Sequence, residues 1–367
     1  MKKGVRILLL LFAALLLLTG GYVGYVLLRY HRLGDQPLAV QGPVPAEQPE
    51  TGREYTVVSY NVGFGAYEAD FGFFMDGGER SWAWSKERLD ANLGKIGDLL
   101  RRQDADFCLI QEVDIDSTRS YHEDERAYMT AAMPEKGYVF AQNYDSPFLL
   151  YPFYQPHGAS RSGIMTFSSF PIGSSERLEL PVEAGFMKFL DLDRCYAKSR
   201  IPLGEGRDLV LYDFHLSAYT SDGTIATEQL LLLLADMEGE YARHNYCVAG
   251  GDFNKDILGD STAVFGMPTE GAVWAQPIPE NTFDGYHISL VAPLDEDRPV
   301  PSCRNADGPY HPGQMVLTVD GFLVSENVEV LASAVIDTGF AYSDHNPVEM
   351  RFLLRPQPEP APGEENQ

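Results

Sequence analysis

The chain has 367 residues, with 53 acidic against 28 basic side chains and a formal net charge of −25. Such an acidic balance opposes nonspecific attraction to nucleic acid or anionic lipid, so any phosphate must be held by local basic loops. The four cysteines lack the close spacing of a structural zinc site. Cys108 and Cys247 lie in apolar strand-like runs and read as buried thiols, while Cys195 and Cys303, in more polar surroundings, are a candidate disulfide outside the cell.

Residues 1–6 form a basic N-terminus carrying Lys2, Lys3 and Arg6. They precede an apolar run, 7–28, interrupted only by Thr19, Gly20 and Gly21 and followed by Arg29, His31 and Arg32. At about 1.5 Å per residue, a helix of this length spans a bilayer core of roughly 30 Å. A cleaved signal peptide is the competing reading. The transmembrane anchor is favoured because apolar character continues through 22–28, beyond the usual length of a signal core. The expectation is a single-pass protein of the cell membrane with an extracytoplasmic domain, or a secreted protein if the segment is cleaved; basic residues on both flanks favour this orientation only slightly. Residues 29–53, with Pro37, Pro43, Pro45 and Pro49, read as a Pro-rich linker. As a solvated tether it would let a domain stand on the order of 25 Å from the membrane. The tail, 356–367, is Pro- and Glu-rich and reads as disordered. Between linker and tail, 54–355 suffices for one large domain, expected to be monomeric.

Strand-like runs rich in Val, Ile, Phe and Tyr occur at 55–61, 107–112, 162–168, 209–215, 246–251, 316–325 and 348–354. The spacing of Leu89, Leu93, Ile96 and Leu100 predicts a helix over 85–102 with Ser85 as its N-cap. A second helix is predicted over 224–243, with Leu230, Leu231, Leu234 and Met237 toward the core. This mixed order of strands and helices predicts an α/β sandwich with paired sheets inside and helices outside.

Several of these runs end in polar residues. The run 107–112 ends in Gln111-Glu112, where a carboxylate can coordinate a hard cation or simply close an exposed strand end. Asn61 closes the first strand in the same way, its amide a partner for metal-bound water or a strand stop. In Gly250-Gly251-Asp252-Phe253-Asn254 the paired glycines permit a tight turn, and Asp-x-Asn spacing can aim both polar groups at one water and one phosphoryl oxygen. An Asx turn is the alternative. His215 ends a further run; alone it reads as a structural histidine, and beside the others as a cationic donor to phosphate. Asp320 interrupts an apolar run, where a carboxylate is costly unless paired, and His345 in Ser343-Asp344-His345-Asn346-Pro347 is a natural partner.

Ser59-Tyr60-Asn61, Gln111-Glu112, Phe214-His215-Leu216, Gly251-Asp252-Phe253-Asn254, the 320–325 segment and Ser343-Asp344-His345-Asn346-Pro347 occur in the order seen in the endonuclease/exonuclease/phosphatase superfamily. The resemblance covers about 55–354 and suggests a membrane-anchored member of bacterial type. It implies a four-layer α/β sandwich of two packed mixed sheets flanked by helices, and cleavage of a phosphoester dependent on Mg²⁺, with Mn²⁺ as a substitute. In that pattern Glu112, Asn61 and Asp344 hold the metal, Asp252 and Asn254 orient water and phosphate, His215 donates to phosphate, and Asp320 supports His345. Such a site activates water without a covalent protein nucleophile, and residue type leaves open whether Asp252 or the Asp320–His345 pair is the base.

Substrate specificity is expected in the loops 64–84, 151–157 and 301–308. Arg161, Lys188 and Arg304 are candidates for auxiliary phosphate contacts, and Tyr154 for a hydrogen bond to phosphate or a packing role. Asp191, Asp193 and Arg194 read alternatively as an internal charge network. Three functions follow: a metal-dependent phosphodiesterase or phosphatase acting on nucleic acid or a phosphorylated small molecule; the same chemistry on lipid headgroups; or a noncatalytic, membrane-tethered binding protein. The last has no need of Glu112, Asp252, Asn254, Asp320 and His345 together.

Overall fold

The structure, a computed structural model, describes residues 2–183, 192–204, 206–218, 224–267 and 274–357. Lys188, Asp191 and the tail from 358 onward lie outside the described residues.

Two sheets pack face to face. The six-stranded sheet runs β14 (Val328–Val335), β15 (Val348–Leu354), β2 (Glu54–Asn61), β3 (Phe107–Asp114), β5 (Arg161–Ser168) and β4 (Gly137–Asp145). The seven-stranded sheet runs β1 (Gln36–Pro37), β6 (Ser174–Glu179), β7 (Cys195–Gly204), β8 (Arg207–His215), β9 (Tyr246–Asp252), β13 (Asp320–Ser325) and β10 (Ile288–Val291). A short hairpin pairs β11 (Cys303–Arg304) with β12 (Val316–Leu317). Each large sheet has one parallel pair, β2 with β3 and β8 with β9. Helix α2 (Lys86–Gln103) connects the first pair and α4 (Thr224–Tyr241) the second, so a strand–helix–strand unit is built twice.

The central strands read as unbroken apolar runs because both of their faces are buried. Side chains alternate across the pleat, so Val57, Leu109, Leu211 and Val248 enter the core between the sheets. Their neighbours Val58, Cys108 and Ile110 meet Leu89, Leu93, Ile96 and Leu100 of α2. Val210, Tyr212, Cys247 and Ala249 meet Leu230, Leu233, Leu234 and Met237 of α4. These three cores stack the chain into helices, sheet, sheet and helix, the four-layer sandwich the sequence predicts. Tyr55, Phe107, Phe170 and Phe352 cluster between the sheets, where truncating Phe107 or Phe352 to Ala costs about 3–5 kcal/mol. Ser85 caps α2 by accepting from the Arg88 N–H at 3.2 Å, and Asp104 ends the helix in the left-handed region at φ 48°.

Four expectations change. Leu231 is exposed and Leu233 takes the inward position, one helical turn from Leu230 and Met237. The run 316–325 is two strands, β12 and β13, broken where the Ser302 hydroxyl accepts from the Val319 and Asp320 amides at 2.9 and 3.1 Å. Cys195 and Cys303 do not pair: Cys195 is buried with Ala141 and Ile164, whereas Cys303 lies beside His345.

The largest change concerns 29–53. An apolar helix, α1 (Lys2–Arg29), is long enough to cross a membrane, and none of its hydrophobic window is buried in the protein. The segment after it is a strap rather than a solvated tether. Strand β1 pairs with β6, Gln41 bridges to Tyr138, His31 Nε2 lies 3.4 Å from Asp145 Oδ2, and Arg32 forms an ion pair with Asp193. The fully buried Arg177 guanidinium donates to the carbonyls of Leu33, Gly34, Gln142 and Asp193. Prolines suit an edge strand because the ladder there leaves N–H positions free, so their density was compatible with a docked segment.

Candidate active site

Parallel strands point their carboxyl ends the same way, and ligands of α/β folds gather there. Asn61 ends β2, Glu112 lies near the end of β3, His215 ends β8 and Asp252 ends β9. The antiparallel strands complete the rim from their starts: Asp320 opens β13 opposite Asp252, and 343–347 lead directly into β15. They surround a cavity of about 320 Å³ whose lining includes Glu112, His215, Asp252, Asn254, Asp344 and His345, with Asn61 bonded to Asp252 and Asp320 beside His345 behind that lining.

Local backbone features aim these groups. A bulge between Ile110 and Val113 interrupts the β3–β5 ladder, and Glu112 sits there at φ 57°. Bulges re-aim side chains, and a non-glycine residue at positive φ is strain that its surroundings must hold. Asn254 is similar at φ 49°. Gly250 and Gly251, expected to turn the chain, instead lie within β9 and permit close approach. A Cβ on Gly251 would fall 2.0 Å from the Phe214 carbonyl oxygen of β8, and one on Gly250 would meet Leu109 of the facing sheet at 2.8 Å. The Ser343 hydroxyl donates to the Asn61 carbonyl at 2.9 Å, tying the last motif to the end of β2.

The polar groups form two connected sets. In one, the Asn61 amide donates to Glu112 Oε1 and Asp252 Oδ2, each at 3.1 Å, while Asp344 faces the same cavity. In the other, Ser302 Oγ donates to Asp320 Oδ2 at 2.7 Å, and Asp320 Oδ2 lies 2.8 Å from His345 Nδ1. His345 Nε2 is 3.8 Å and His215 Nε2 3.4 Å from Asp252 Oδ2. Asp252 Oδ1 accepts from the Asn254 N–H at 2.8 Å, and the Asn254 side chain donates to the Leu216 carbonyl at 2.7 Å.

Burial sets the ionisation of these groups. It raises the Asp344 carboxyl to about 6, with the Glu112 charge adding to the rise, and raises Asp252 to about 7, with Asp320 adding. Burial opposes charge on His345, but Asp320 overcomes it and holds the imidazolium well above its ordinary range. His215 goes the other way: burial, then Arg194 and His345, push it well below the ordinary range. Of the two histidines, these shifts favour charge on His345 and the neutral form of His215, the one expected as a cationic donor.

A divalent cation fits one of these sets. Glu112 and Asp344 bring carboxylate oxygens to the cavity, and the mutual repulsion of two acids is what a cation relieves; Asn61 turns its amide N–H toward Glu112, its own oxygen accepting from the Gly63 N–H at 3.0 Å. Asp252, Asp320 and His345 also bring donor atoms within 4.8 Å of one another. There the imidazole is already committed to Asp320, which makes that trio a proton-handling chain better than a metal cage.

The other expected contacts separate. Arg161 is half exposed, ion-paired with Asp116 and absent from the cavity lining. Tyr154 is exposed and also lies off the cavity. Arg304 does line the cavity, but its guanidinium donates to the carbonyls of Asn305, Gly308, Glu68 and Phe71, clamping two loops together. The cavity also takes Arg119, Arg194 and His157. Arg119 forms a buried bidentate pair with Asp114 at 3.0 and 2.8 Å and lies 3.9 Å over the Phe64 ring. No local pattern announces Arg119; His157 closes the 151–157 loop expected to carry specificity, and Arg194 stood out only as part of a charged stretch.

The sequence profile of the Endonuclease/Exonuclease/phosphatase family matches residues 58–345, and the chain belongs to this family. Among curated protein sequences no significant match is found. The fold is similar to an endonuclease/exonuclease/phosphatase from Beutenbergia cavernae DSM 12333, with 19% identity, TM-score 0.56, and 83% of this chain and 72% of that one covered. It is also similar to ANGEL2, a 2′,3′-cyclic phosphatase solved with adenosine-2′,3′-vanadate, with 18% identity, TM-score 0.55 and coverage of 83% and 96%. A Bacteroides vulgatus endonuclease/exonuclease/phosphatase gives 13% identity, TM-score 0.52 and coverage of 83% and 100%. Members of this family are hydrolases of phosphoesters.

Proposed function

We propose that the protein is a Mg²⁺-dependent phosphoester hydrolase, of phosphodiesterase or phosphatase type, held by α1 at the outer face of a membrane. The observation that carries this reading is the meeting, at one cavity, of His345 and Asp252 with Glu112 and Asp344, Asp320 holding His345 and the Asn61 amide bridging Glu112 and Asp252. Glu112, Asn61 and Asp344 would hold the cation, which when bound neutralises phosphate charge and stabilises the leaving oxygen.

The remaining roles belong to this chain's own groups. His345, charged because of Asp320, donates from Nε2 to a phosphoryl oxygen. Asp252, at about 7, takes a proton from water as the water oxygen bonds to phosphorus and the ester P–O bond breaks. Asn254 and neutral His215 hold the water and phosphate in line. ANGEL2, which acts on a 2′,3′-cyclic phosphate, supports the phosphoester class without naming this chain's substrate.

The test is hydrolysis of bis-p-nitrophenyl phosphate by the full chain with Mg²⁺ or Mn²⁺. Activity should vanish in EDTA and fall about 10²–10⁴-fold in His345→Ala, with the circular dichroism spectrum unchanged. Wild-type protein that neither binds Mg²⁺ nor hydrolyses any of DNA, RNA, phospholipid or inositol phosphate would make it a binding protein instead.

A further inference from the structure

The loop after β4 presents Phe148, Leu150, Tyr151, Phe153 and Tyr154 to solvent, with Phe153 83% exposed. From Phe148 to Pro156 it carries no charged residue, in a chain with 53 acidic and 28 basic ones. It is a built structure. Leu149 bridges to Gly158, the Ser81 N–H donates to Gln155 at 2.9 Å, and the Trp82 indole donates to the Pro156 carbonyl at 2.7 Å. Five exposed apolar or aromatic side chains on a fixed loop form a patch that needs an explanation.

The helix α1 supplies one. Tyr22 and Tyr25, one turn apart, reach this loop: Tyr22 Oη donates to the Phe148 carbonyl at 3.3 Å and accepts from the Leu150 N–H at 2.9 Å, and Tyr25 Oη accepts from the Phe148 N–H at 3.1 Å. A bilayer core of about 30 Å takes roughly 20 residues of helix, so counted from Ile7 it ends near Val26. Tyr25 then lies at the core boundary, in the interfacial belt where tyrosines concentrate, and Tyr22 one turn, about 5 Å, deeper. Whatever they touch lies at that depth too.

We propose that the loop 148–154 is a second membrane contact, inserted in the interface of the bilayer that α1 crosses, and that it holds the active-site mouth against the lipid headgroups. The occupant of the patch is the bilayer surface, since an uncharged aromatic loop partitions there without needing anionic lipid, which so acidic a chain repels. The docked strap fixes the distance, because β1 and the Arg32–Asp193 pair leave no slack between helix and domain. Loop and cavity share a wall: Tyr151 packs on Phe74 at 5.8 Å, Phe74 on His157 at 5.9 Å, and His157 lines the cavity. The favoured substrate is thus a phosphoester carried by a membrane lipid. That substrate class rests on the hydrolase reading, whereas the membrane contact does not.

The test places one environment-sensitive fluorophore on Phe153→Cys, Leu331→Cys or Leu17→Cys of the full chain, the four native cysteines being buried. Each protein is reconstituted in phosphatidylcholine vesicles with brominated acyl chains. Leu331 is the control, exposed on β14 at the opposite edge of the sheet from β4. Bromine should quench the labels at 17 and 153 but not at 331. Quenching at 17 without 153, or equal quenching at 153 and 331, overturns the loop contact; no quenching at 17 overturns it together with the anchor.

Leu150→Ser combined with Phe153→Ser should leave bis-p-nitrophenyl phosphate hydrolysis unchanged and slow headgroup release from phosphatidylcholine, phosphatidylglycerol or sphingomyelin vesicles by roughly tenfold. Equal rates for wild type and variant on every vesicle overturn the orienting role. A quenched label at 153 in a protein inactive on soluble and vesicle substrates alike would sink the hydrolase reading and leave the contact standing.

Discussion

The two sheets are built alike and bring different chemistry to their common rim. Each has one parallel strand pair joined by a helix. From the six-stranded sheet come Asn61 and Glu112, with Asp344 entering just before β15; the two carboxylates offer oxygen to the cavity and the Asn61 amide bridges Glu112 to Asp252. From the seven-stranded sheet come His215, Asp252 and Asp320, the groups that handle protons in the proposed mechanism. His345 belongs by sequence to the first set and by its bond to Asp320 to the second. Repeating a unit therefore does not repeat a function: the repeat supplies two adjacent rims, and the residue ending each strand decides what each rim does.

Breaking the two sides separately should give different kinetic signatures. Asp252→Asn keeps the shape and the hydrogen-bonding reach of the side chain but removes the proton acceptor, so kcat should fall by about 10²–10⁴-fold while Mg²⁺ affinity from calorimetry changes little. Glu112→Gln should instead weaken Mg²⁺ binding by at least about tenfold and recover much of its activity at high Mg²⁺. Loss of Mg²⁺ binding in both variants would merge the two sets into one metal cage.

A smaller effect comes from pH. Asp344, raised to about 6, is partly protonated near neutrality, and a cation beside it must displace that proton. Mg²⁺ affinity in the full chain should rise from pH 5 to 7, with proton release visible as a buffer-dependent binding enthalpy. A flat affinity across that window would mean that Asp344 does not meet the cation.

This division was only partly legible in the sequence. The strand ends were, because a polar residue closing an apolar run marks a rim, and Asp320 was, because a carboxylate inside such a run demands a partner. The role of 29–53 was not. Prolines and glutamines describe a solvated linker and a docked edge strand equally well, and the guanidinium that decides between them, Arg177, lies more than a hundred residues away. The protonation of the two histidines was equally hidden, since His215 and His345 differ through burial and through Asp320 rather than through neighbours in the chain. Arg304 looked like a phosphate ligand because it is basic and near a motif; four carbonyls claim it first.

The smallest predicted effect contrasts the outer faces of the sheets. Beside the six-stranded sheet, burial holds Glu125 well above the usual carboxylate range, with the Asp114 charge adding to it. Beside the seven-stranded sheet, Glu240 ties α4 to β7, its carboxylate meeting Lys198 at 2.8 Å and Arg200 at 2.5 Å. Burial opposes this charge, but the bonds from Arg200 and Lys198 outweigh it and lower Glu240 to about 2. A group whose folded pKa is depressed stabilises the fold fully above its unfolded value of about 4.3, and that stabilisation fades as pH falls toward 2. Glu125 has the opposite sign, favouring the fold where it is protonated. Acid should therefore loosen the α4 side first, seen as earlier amide exchange in α4 and β7 than in α2 and β3 at pH 3. Glu240→Gln should lower Tm at pH 7, because Lys198 and Arg200 each lose one of two carboxylate partners, keeping only Asp236 and Asp208, and should flatten the fall of Tm between pH 4.5 and 2.5. An unchanged slope in that variant would assign the acid sensitivity to other carboxylates.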